Sequence, residues 1–264
     1  MEYRSAITRI PCARFAEGLT HGLLGKPDVA LAVEQHAKYV EALRRCGVEV
    51  TVLPGDDAYP DSCFAEDEAI LTDHEAIMPA PCFPSRQGEE IRMRPLVEAF
   101  YHGKVSEIKR PGTLEGGDIC RDGNHYFIGL SKRTNDEGAR QMEAFLTRQG
   151  YTCSFCNFRE VSILHLSTGM SCLSGHTVIC VPEFKDFPAY KGYRVIVTPE
   201  DEKYASNLVD VNGHVIMAAG FPKTQAMLTE AGYDIITVPM TEFEKQDGGL
   251  SCLSLRIPKA HWDK

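Results

Sequence analysis

The sequence predicts a single α/β domain built from five ββαβ units that close into a ring. Five helical stretches recur along the 264 residues, each followed by a strand and most preceded by a strand pair. No low-complexity linker marks a boundary, so residues 1–264 are expected to form one domain. Five such units can close into a ring whose central channel collects loops from the strand ends. A plain mixed α/β sheet is the alternative.

The first two units follow from apolar spacing and turn residues. Asp28 to Cys46 is typical of an amphipathic helix with apolar residues three or four apart, and Gly47 suits its C-terminal end. The segment 48–52 alternates like a half-buried strand, and two apolar strands are expected around 69–71 and 76–78. Ser85 is predicted to cap a second helix, followed by a strand over 104–108.

The remaining units continue the same order. A hairpin is predicted around Asp122-Gly123-Asn124, because an Asp-Gly pair readily adopts the positive φ angles of a tight turn. A helix over 136–149 follows, then two strands and a poorly defined helical stretch near 183–190. The last unit has a hairpin around Asn212-Gly213, a helix over 222–231 and a strand over 233–238. The final strand is predicted over 250–257.

Composition excludes several classes of function. With 28 Lys+Arg against 37 Asp+Glu, the net charge is −9, which argues against nucleic acid as the main partner. The first nine residues lack the apolar stretch of a signal peptide, and no apolar run approaches the ~20 residues needed to cross a bilayer. The ten cysteines show no disulfide-scaffold spacing, so we expect reduced thiols in a cytoplasmic protein.

Four segments concentrate unusual chemistry. The acidic loop, residues 60–68, holds Asp61, Glu66, Asp67 and Glu68 around Phe64. A solvated loop is the simplest interpretation, but an aromatic residue among acids suggests partial burial, and buried carboxylates need a cationic partner. The segment 112–118 places Glu115 and Asp118 on a turn with paired glycines. An exposed hairpin entry would explain that turn equally well.

The other two segments carry a histidine and a cysteine. His165 lies between leucines on a predicted strand, where a hydrogen-bonded core histidine is the usual interpretation. Cys252 follows the pair Gly248-Gly249 and is predicted to begin the last strand, from which its side chain can project into a cleft. A buried, unreactive thiol is the default interpretation for one cysteine among ten.

Other motifs give little support. Cys153-Ser154-Phe155-Cys156 is a single C-x-x-C without partners at zinc spacing, so it is weak evidence for a metal site. The glycine-rich nucleotide signatures and the H-E-x-x-H metalloprotease motif do not occur. No metal or organic cofactor is therefore expected.

Taken together, the four segments resemble the dimethylarginine dimethylaminohydrolase family of the guanidino-group-modifying (pentein) superfamily. The resemblance covers nearly the whole chain. It lies in an ordered set of segments, each weak alone and specific together: 18–20, 24–28, 60–67, 84–86, 112–118, 129–135, 164–166 and 244–252. It implies five ββαβ modules around a pseudo-fivefold axis.

The resemblance also implies roles for single residues. It makes Cys252 the nucleophile, His165 the general acid and base, and Glu115 the carboxylate that orients His165. Asp61, Glu66 and Asp67 would bind a guanidinium group, Arg86 and Arg133 the α-carboxylate of the substrate, and the Leu19 loop would close over the amino-acid end. Gln246 stands six residues before the nucleophile, where relatives have an aliphatic residue that contacts substrate through its backbone.

The chemistry explains these residue types. A guanidinium carbon is a poor electrophile because its charge is spread over three nitrogens. Carboxylates fix the planar cation by charge-assisted hydrogen bonds and bring its carbon to the thiolate. The expected reaction is hydrolysis of Nω-methylated arginine to citrulline through a covalent S-alkylthiouronium on Cys252. The expected partner is a small guanidino amino acid, with neither nucleic acid nor membrane.

Three alternatives stay open. An arginine deiminase-type reaction would release ammonia from a different guanidino substrate, and an amidinotransferase would use an acceptor amine in place of water. A catalytically silent binding protein could use the same scaffold. The oligomeric state is also open, with a homodimer as the assembly considered.

Overall fold

The computed structural model describes residues 2–21 and 24–262, and over these ranges the strands form five separate three-stranded sheets. The strands in chain order are β1 Tyr3–Arg9, β2 Glu49–Leu53, β3 Ile70–Leu71, β4 Ala76–Met78, β5 Val105–Glu107, β6 Ile119–Asp122, β7 His125–Leu130, β8 Thr152–Asn157, β9 Met170–Leu173, β10 Thr177–Cys180, β11 Arg194–Val197, β12 Val209–Val211, β13 His214–Ala218, β14 Asp234–Val238 and β15 Leu255–Pro258.

All five sheets share one topology. In each, a middle strand pairs antiparallel with one neighbour and parallel with the other, in the orders β15-β1-β2, β3-β4-β5, β6-β7-β8, β11-β10-β9 and β12-β13-β14. The predicted pentein architecture of five ββαβ modules is confirmed, and the alternative of one continuous mixed sheet is wrong. The first module combines the two ends of the chain, because β15 pairs with β1.

Helices connect the parallel strands in most modules. The helices are α1 Val29–Arg45, α2 Glu89–Phe100, α3 Asp136–Arg148, α4 Leu166–Gly169, α5 Pro222–Glu230 and α6 Thr241–Glu244. Of these, α1, α2, α3 and α5 connect the parallel strands of a module. The start of α1 follows from its sequence, since the Asp28 side chain accepts a hydrogen bond from the amide of Leu31 at 3.1 Å. In the fourth module two short 3₁₀ turns, Pro182–Phe184 and Pro188–Tyr190, replace a helix, which explains its weak sequence signal.

Two predicted boundaries are wrong for local reasons. Ser85 does not cap a helix, because it lies inside the 3₁₀ turn Pro84–Arg86, and α2 begins after Gly88. The final strand is shorter than predicted, since Ser251–Leu253 form a 3₁₀ turn before β15. The hairpin at Asn212-Gly213 is confirmed, and both residues have positive φ, 52° and 88°.

The apolar core follows the modules. Separate clusters of buried side chains lie between neighbouring sheets and helices, such as the group around Phe15, Phe64 and Phe243. The ten cysteines, all within the described ranges, are free. No helix in those ranges is long and apolar enough to cross a membrane.

Candidate active site

Cys252 lies on a tight turn immediately before β15. This Cys252 turn, residues 248–254, is buried, and the amide of Gly249 donates to Sγ of Cys252 at 3.4 Å. Asn207 accepts the Ser251 amide hydrogen bond at 2.9 Å, anchoring the turn from another module. A Cβ on Gly249 would lie 2.3 Å from Cγ of Asn207, so this approach requires glycine. The prediction that Cys252 begins a strand is therefore wrong.

His165 faces Glu115 in the interior. Its Nε2 lies 2.8 Å from Oε2 of Glu115, and both side chains are almost fully buried. The second carboxylate oxygen of Glu115 accepts the amide hydrogen bond of Cys82 at 3.1 Å. His165 precedes α4 in extended conformation, so the prediction that it lies on a strand is wrong. Gly117 gives the imidazole its room, because a Cβ there would lie 2.6 Å from Nδ1.

The acidic loop is buried, contrary to the simplest interpretation of its sequence. Asp61, Glu66 and Asp67 are each at most 9% exposed. Glu66 Oε2 accepts hydrogen bonds from Ser251 Oγ at 2.9 Å and Ser167 Oγ at 3.2 Å. The loop therefore contacts the turn that carries Cys252 directly.

The acidic loop also meets the His165–Glu115 pair. The amide of Gly117 donates to Oδ1 of Asp67 at 2.9 Å. One ligand atom each from Asp67, Glu115 and His165 lies within 4.8 Å of the others. Such a cluster could in principle hold a metal ion, but here both carboxylates accept hydrogen bonds from arginines. Residues distant in the sequence thus meet in one buried cluster.

Arg86 and Arg133 supply those hydrogen bonds. Arg86 Nη1 donates to Asp67 Oδ2 at 2.6 Å, and its Nε donates to Glu89 at 3.0 Å. Arg133 Nη1 donates to Glu115 Oε2 at 2.8 Å, and its guanidinium lies 4.5 Å from the ring centre of Phe83. Both arginines are within the site. Their expected contact with a substrate carboxylate stays a prediction, since internal acids hold them here.

Comparisons with known proteins identify the family of this chain. Residues 26–257 match the family described as N,N dimethylarginine dimethylhydrolase, eukaryotic. The chain is 44% identical to the N(G),N(G)-dimethylarginine dimethylaminohydrolase of Pseudomonas aeruginosa, covering 97% of this chain and 100% of that protein. The Streptomyces coelicolor protein of the same name is 35% identical, covering 97% and 98%.

This chain belongs to the dimethylarginine dimethylaminohydrolase family. A solved structure of a cysteine-to-serine variant of the Pseudomonas aeruginosa protein, complexed with citrulline, matches it with a TM-score of 0.94 and 42% identity over 97% of this chain and 100% of that one.

Leu19 contacts the acidic loop, and Gln246 lies in the segment just before the Cys252 turn. The Leu19 amide lies 3.1 Å from each carboxylate oxygen of Asp61. Thr20 Oγ1 donates to the carbonyl of Lys245 at 2.9 Å, which ties the Leu19 loop to the segment preceding the Cys252 turn. Gln246 is buried, and its Nε2 donates to the carbonyl of Phe15 at 3.0 Å. Its Oε1 has no hydrogen-bond partner within the described ranges.

Four residues of the site were missed by the sequence analysis: Ser167, Asn207, Ser251 and Arg256. Asn207 bridges the segments that carry His165 and Cys252. It donates to the carbonyl of Ser167 at 2.8 Å and to Ser251 Oγ at 3.0 Å. No local pattern identifies such a bridge, because its meaning lies in contacts between modules. Of the four, only Ser251 could have been found from the sequence, because it stands beside Cys252.

Electrostatics sets the protonation of the two reactive groups. Burial raises the pKa of Cys252, and the negative charges of Glu66 and Asp67 raise it further, so the thiol is neutral. Burial alone would lower the pKa of His165, but Asp67, Glu115 and Asp118 outweigh it and raise the pKa to about 9. Burial also raises the pKa of Asp61 and Glu66. The negative charges of Glu66 and Asp67 beside Cys252 favour binding of a cation.

Proposed function

We propose that this chain hydrolyses Nω-methylated L-arginine to L-citrulline and dimethylamine or methylamine, with Cys252 as the nucleophile. The observation that carries the proposal is the junction between the acidic loop and the Cys252 turn, next to the buried His165–Glu115 pair. A planar cation is the ligand these acids suit best. The family relationship supports the methylated guanidine as substrate.

Binding uses opposite ends of the substrate. Asp61, Glu66 and Asp67 accept hydrogen bonds from the guanidinium and orient its carbon toward Sγ of Cys252. Arg86 and Arg133 bind the α-carboxylate, which requires both guanidinium groups to exchange contacts with internal acids. The Leu19 loop covers the amino-acid end of the substrate, and Gln246 contacts the same end.

The first half of the reaction breaks the C–N bond. The bound cation opposes the charges that hold the Cys252 thiol neutral, so its pKa falls. The thiol proton passes to solvent, and the thiolate forms beside imidazolium His165. The sulfur attacks the guanidinium carbon, and a C–S bond forms. His165 donates its proton to the departing dimethylamine. The product on Cys252 is an S-alkylthiouronium.

The second half hydrolyses this intermediate. Neutral His165 removes a proton from water, and the oxygen attacks the thiouronium carbon. The C–S bond then breaks, and the added hydroxyl group loses its proton to solvent as citrulline is released. Cys252 leaves as the thiolate, and His165 is again the imidazolium. Glu115 stabilises that form throughout, as an orienting carboxylate does in other triads. Thiol, imidazole and water supply the whole reaction, so we propose no cofactor.

The test is turnover of asymmetric dimethylarginine by the purified chain. Citrulline and dimethylamine are expected in equal amounts. Cys252→Ser is expected to lower kcat by about 10³-fold or more, because it removes the nucleophile. The matched control is Cys153→Ser, outside the site, which should keep the parent rate. A Cys252→Ser variant as fast as the parent would eliminate the proposed nucleophile.

The released amine separates the alternatives in the same assay. Ammonia from arginine, without dimethylamine from the methylated substrate, would indicate a deiminase-type enzyme. We further propose that residues 1–264 form one catalytic domain acting in the cytoplasm, which the ten free thiols support. A homodimer stays a prediction.

A further inference from the structure

Arg256 lies directly behind the Cys252 turn. It is on β15, and its guanidinium points back to the turn. Nη1 donates to the carbonyl of Ser251 at 3.0 Å, the carbonyl of Ser254 at 3.3 Å and Ser254 Oγ at 2.8 Å. One amino group therefore joins both ends of the segment that carries Cys252.

The other amino group faces the acidic loop. Nη2 of Arg256 lies 3.5 Å from Oε1 of Glu66, whose Oε2 accepts the hydrogen bonds of Ser251 and Ser167. Burial raises the pKa of Glu66, and Arg256 is the strongest influence in the opposite direction. Arg256 is thus the main positive charge that favours the anionic form of Glu66.

A cavity on the axis of the ring lies behind this contact. It has a volume of about 310 Å³, and its wall includes Glu66, Ser167, Ser251 and Arg256. Arg256 and Glu66 therefore both line the axial cavity and both contact the Cys252 turn. Arg121 lines the same cavity but pairs with Asp73, at 2.8 Å. The two partly buried arginines of this cavity have different partners, and only Arg256 of the two contacts the proposed site.

We propose that Arg256 is a positioning residue for recognition of the cation. It holds Glu66 anionic and oriented from the side of the axial cavity, while its second amino group fixes the Cys252 turn. The inference rests on the proposed function, in which Glu66 binds the guanidinium group. A planar fork suits this double contact better than the single ammonium of lysine. Loss of Arg256 should therefore weaken selection of cations more than reactivity of the thiol.

The test compares alkylation of Cys252 by 2-chloroacetamidine, a cation, and by neutral 2-chloroacetamide. In both reactions a C–S bond forms, chloride leaves and the thiol proton passes to solvent, so the ratio of the two rates measures cation selection. Peptide mass mapping follows Cys252 among the other thiols. Arg256→Met is expected to lower this ratio by about tenfold or more, equivalent to ~1.4 kcal/mol. Arg121→Met, the matched control, should leave the ratio unchanged.

Two further variants make the result decisive. Arg256→Lys keeps the charge and loses the fork, so its ratio should fall about threefold, between the parent and Arg256→Met. In a Glu66→Gln background, Arg256→Met should cause no additional loss. Equal slowing of both reagents in Arg256→Met, or the same loss of ratio in the Glu66→Gln background, would overturn the proposal.

If thermal melting shows that Arg256→Met does not fold, Arg256→Lys carries the test, and a ratio equal to the parent's would overturn the proposal. The alkylation ratio does not depend on turnover. Failure to hydrolyse dimethylarginine would reject the proposed function without deciding the role of Arg256.

Discussion

At the scale of single residues, the pocket combines a neutral thiol with a protonated imidazole. Burial and the charges of Glu66 and Asp67 raise the pKa of Cys252, whereas Asp67, Glu115 and Asp118 raise the pKa of His165 against the effect of burial. A bound guanidinium opposes that charge next to the sulfur. In the proposed mechanism the thiolate therefore forms only when a cationic substrate is bound.

Glu115→Gln should shift the pH dependence of the enzyme. Glu115 raises the pKa of His165 by its hydrogen bond and charge, so its loss should move that pKa below about 9. Imidazolium His165 is needed for amine departure, and kcat/KM falls as pH rises through this pKa. The basic limb of the kcat/KM profile should therefore move to lower pH, with kcat reduced by about 10²-fold or more.

The control for this profile is Glu98→Gln, since Glu98 is 44% exposed on α2 and pairs only with Arg94 within the described ranges. Its profile should match the parent. A Glu115→Gln profile with an unmoved basic limb would contradict the assigned role of His165.

Local sequence marked the candidate site residues only as unusual, and their roles came from the resemblance to a family. His165 lies between two leucines, and Phe64 interrupts a run of acids. Asn207 and Arg256 have ordinary surroundings in the sequence, and their importance arises from contacts with the Cys252 turn. The Asn207 contact joins two modules and leaves no local pattern, and the Arg256 contact depends on the turn at residues 251–254, which the sequence did not predict.

At the scale of elements, the site is built from turns rather than from strands. The segments around His165 and Cys252 were predicted as strands because they are rich in apolar residues. The ring encloses these turns from several sides, so even non-repetitive backbone is buried there, and short 3₁₀ turns have too few residues for a period to be recognised. Regular elements with clear termini, such as α1 and the 122–125 hairpin, were predicted within a few residues.

Gly249→Ala should impair catalysis more than folding. The new Cβ would displace Asn207, which holds the Ser251 amide and thereby the Cys252 turn. We expect kcat to fall by about tenfold or more, because misplacement of a reacting group by about 1 Å is costly. Steady-state kinetics and thermal melting on the same samples measure both effects.

Gly213→Ala is the matched control. Gly213 has a φ of 88°, and a Cβ there would have open space around it. Backbone strain should lower its stability by about 1 kcal/mol without changing kcat. The opposite pattern, with kcat lost in Gly213→Ala and kept in Gly249→Ala, would contradict the account of the turn.

At the scale of the whole molecule, closure of the ring creates the site. β15 pairs with β1. This pairing brings the Cys252 turn, which precedes β15, to the same module as the segment after β1 that holds Leu19. The other modules contribute the acidic loop, Glu115 and His165 in turn. The repeat count predicted this closure from sequence, and the fold confirms it. The relative placement of side chains within the pocket required the structure.

A crystal structure of Cys252→Ser with asymmetric dimethylarginine tests the central claim most directly. We expect the guanidinium to contact Asp61, Glu66 and Asp67, with its carbon about 3–3.5 Å from Oγ of residue 252. The dimethylated nitrogen should face His165. A ligand bound in the axial cavity, or a guanidinium held by other acids with its carbon out of reach of residue 252, would contradict the account.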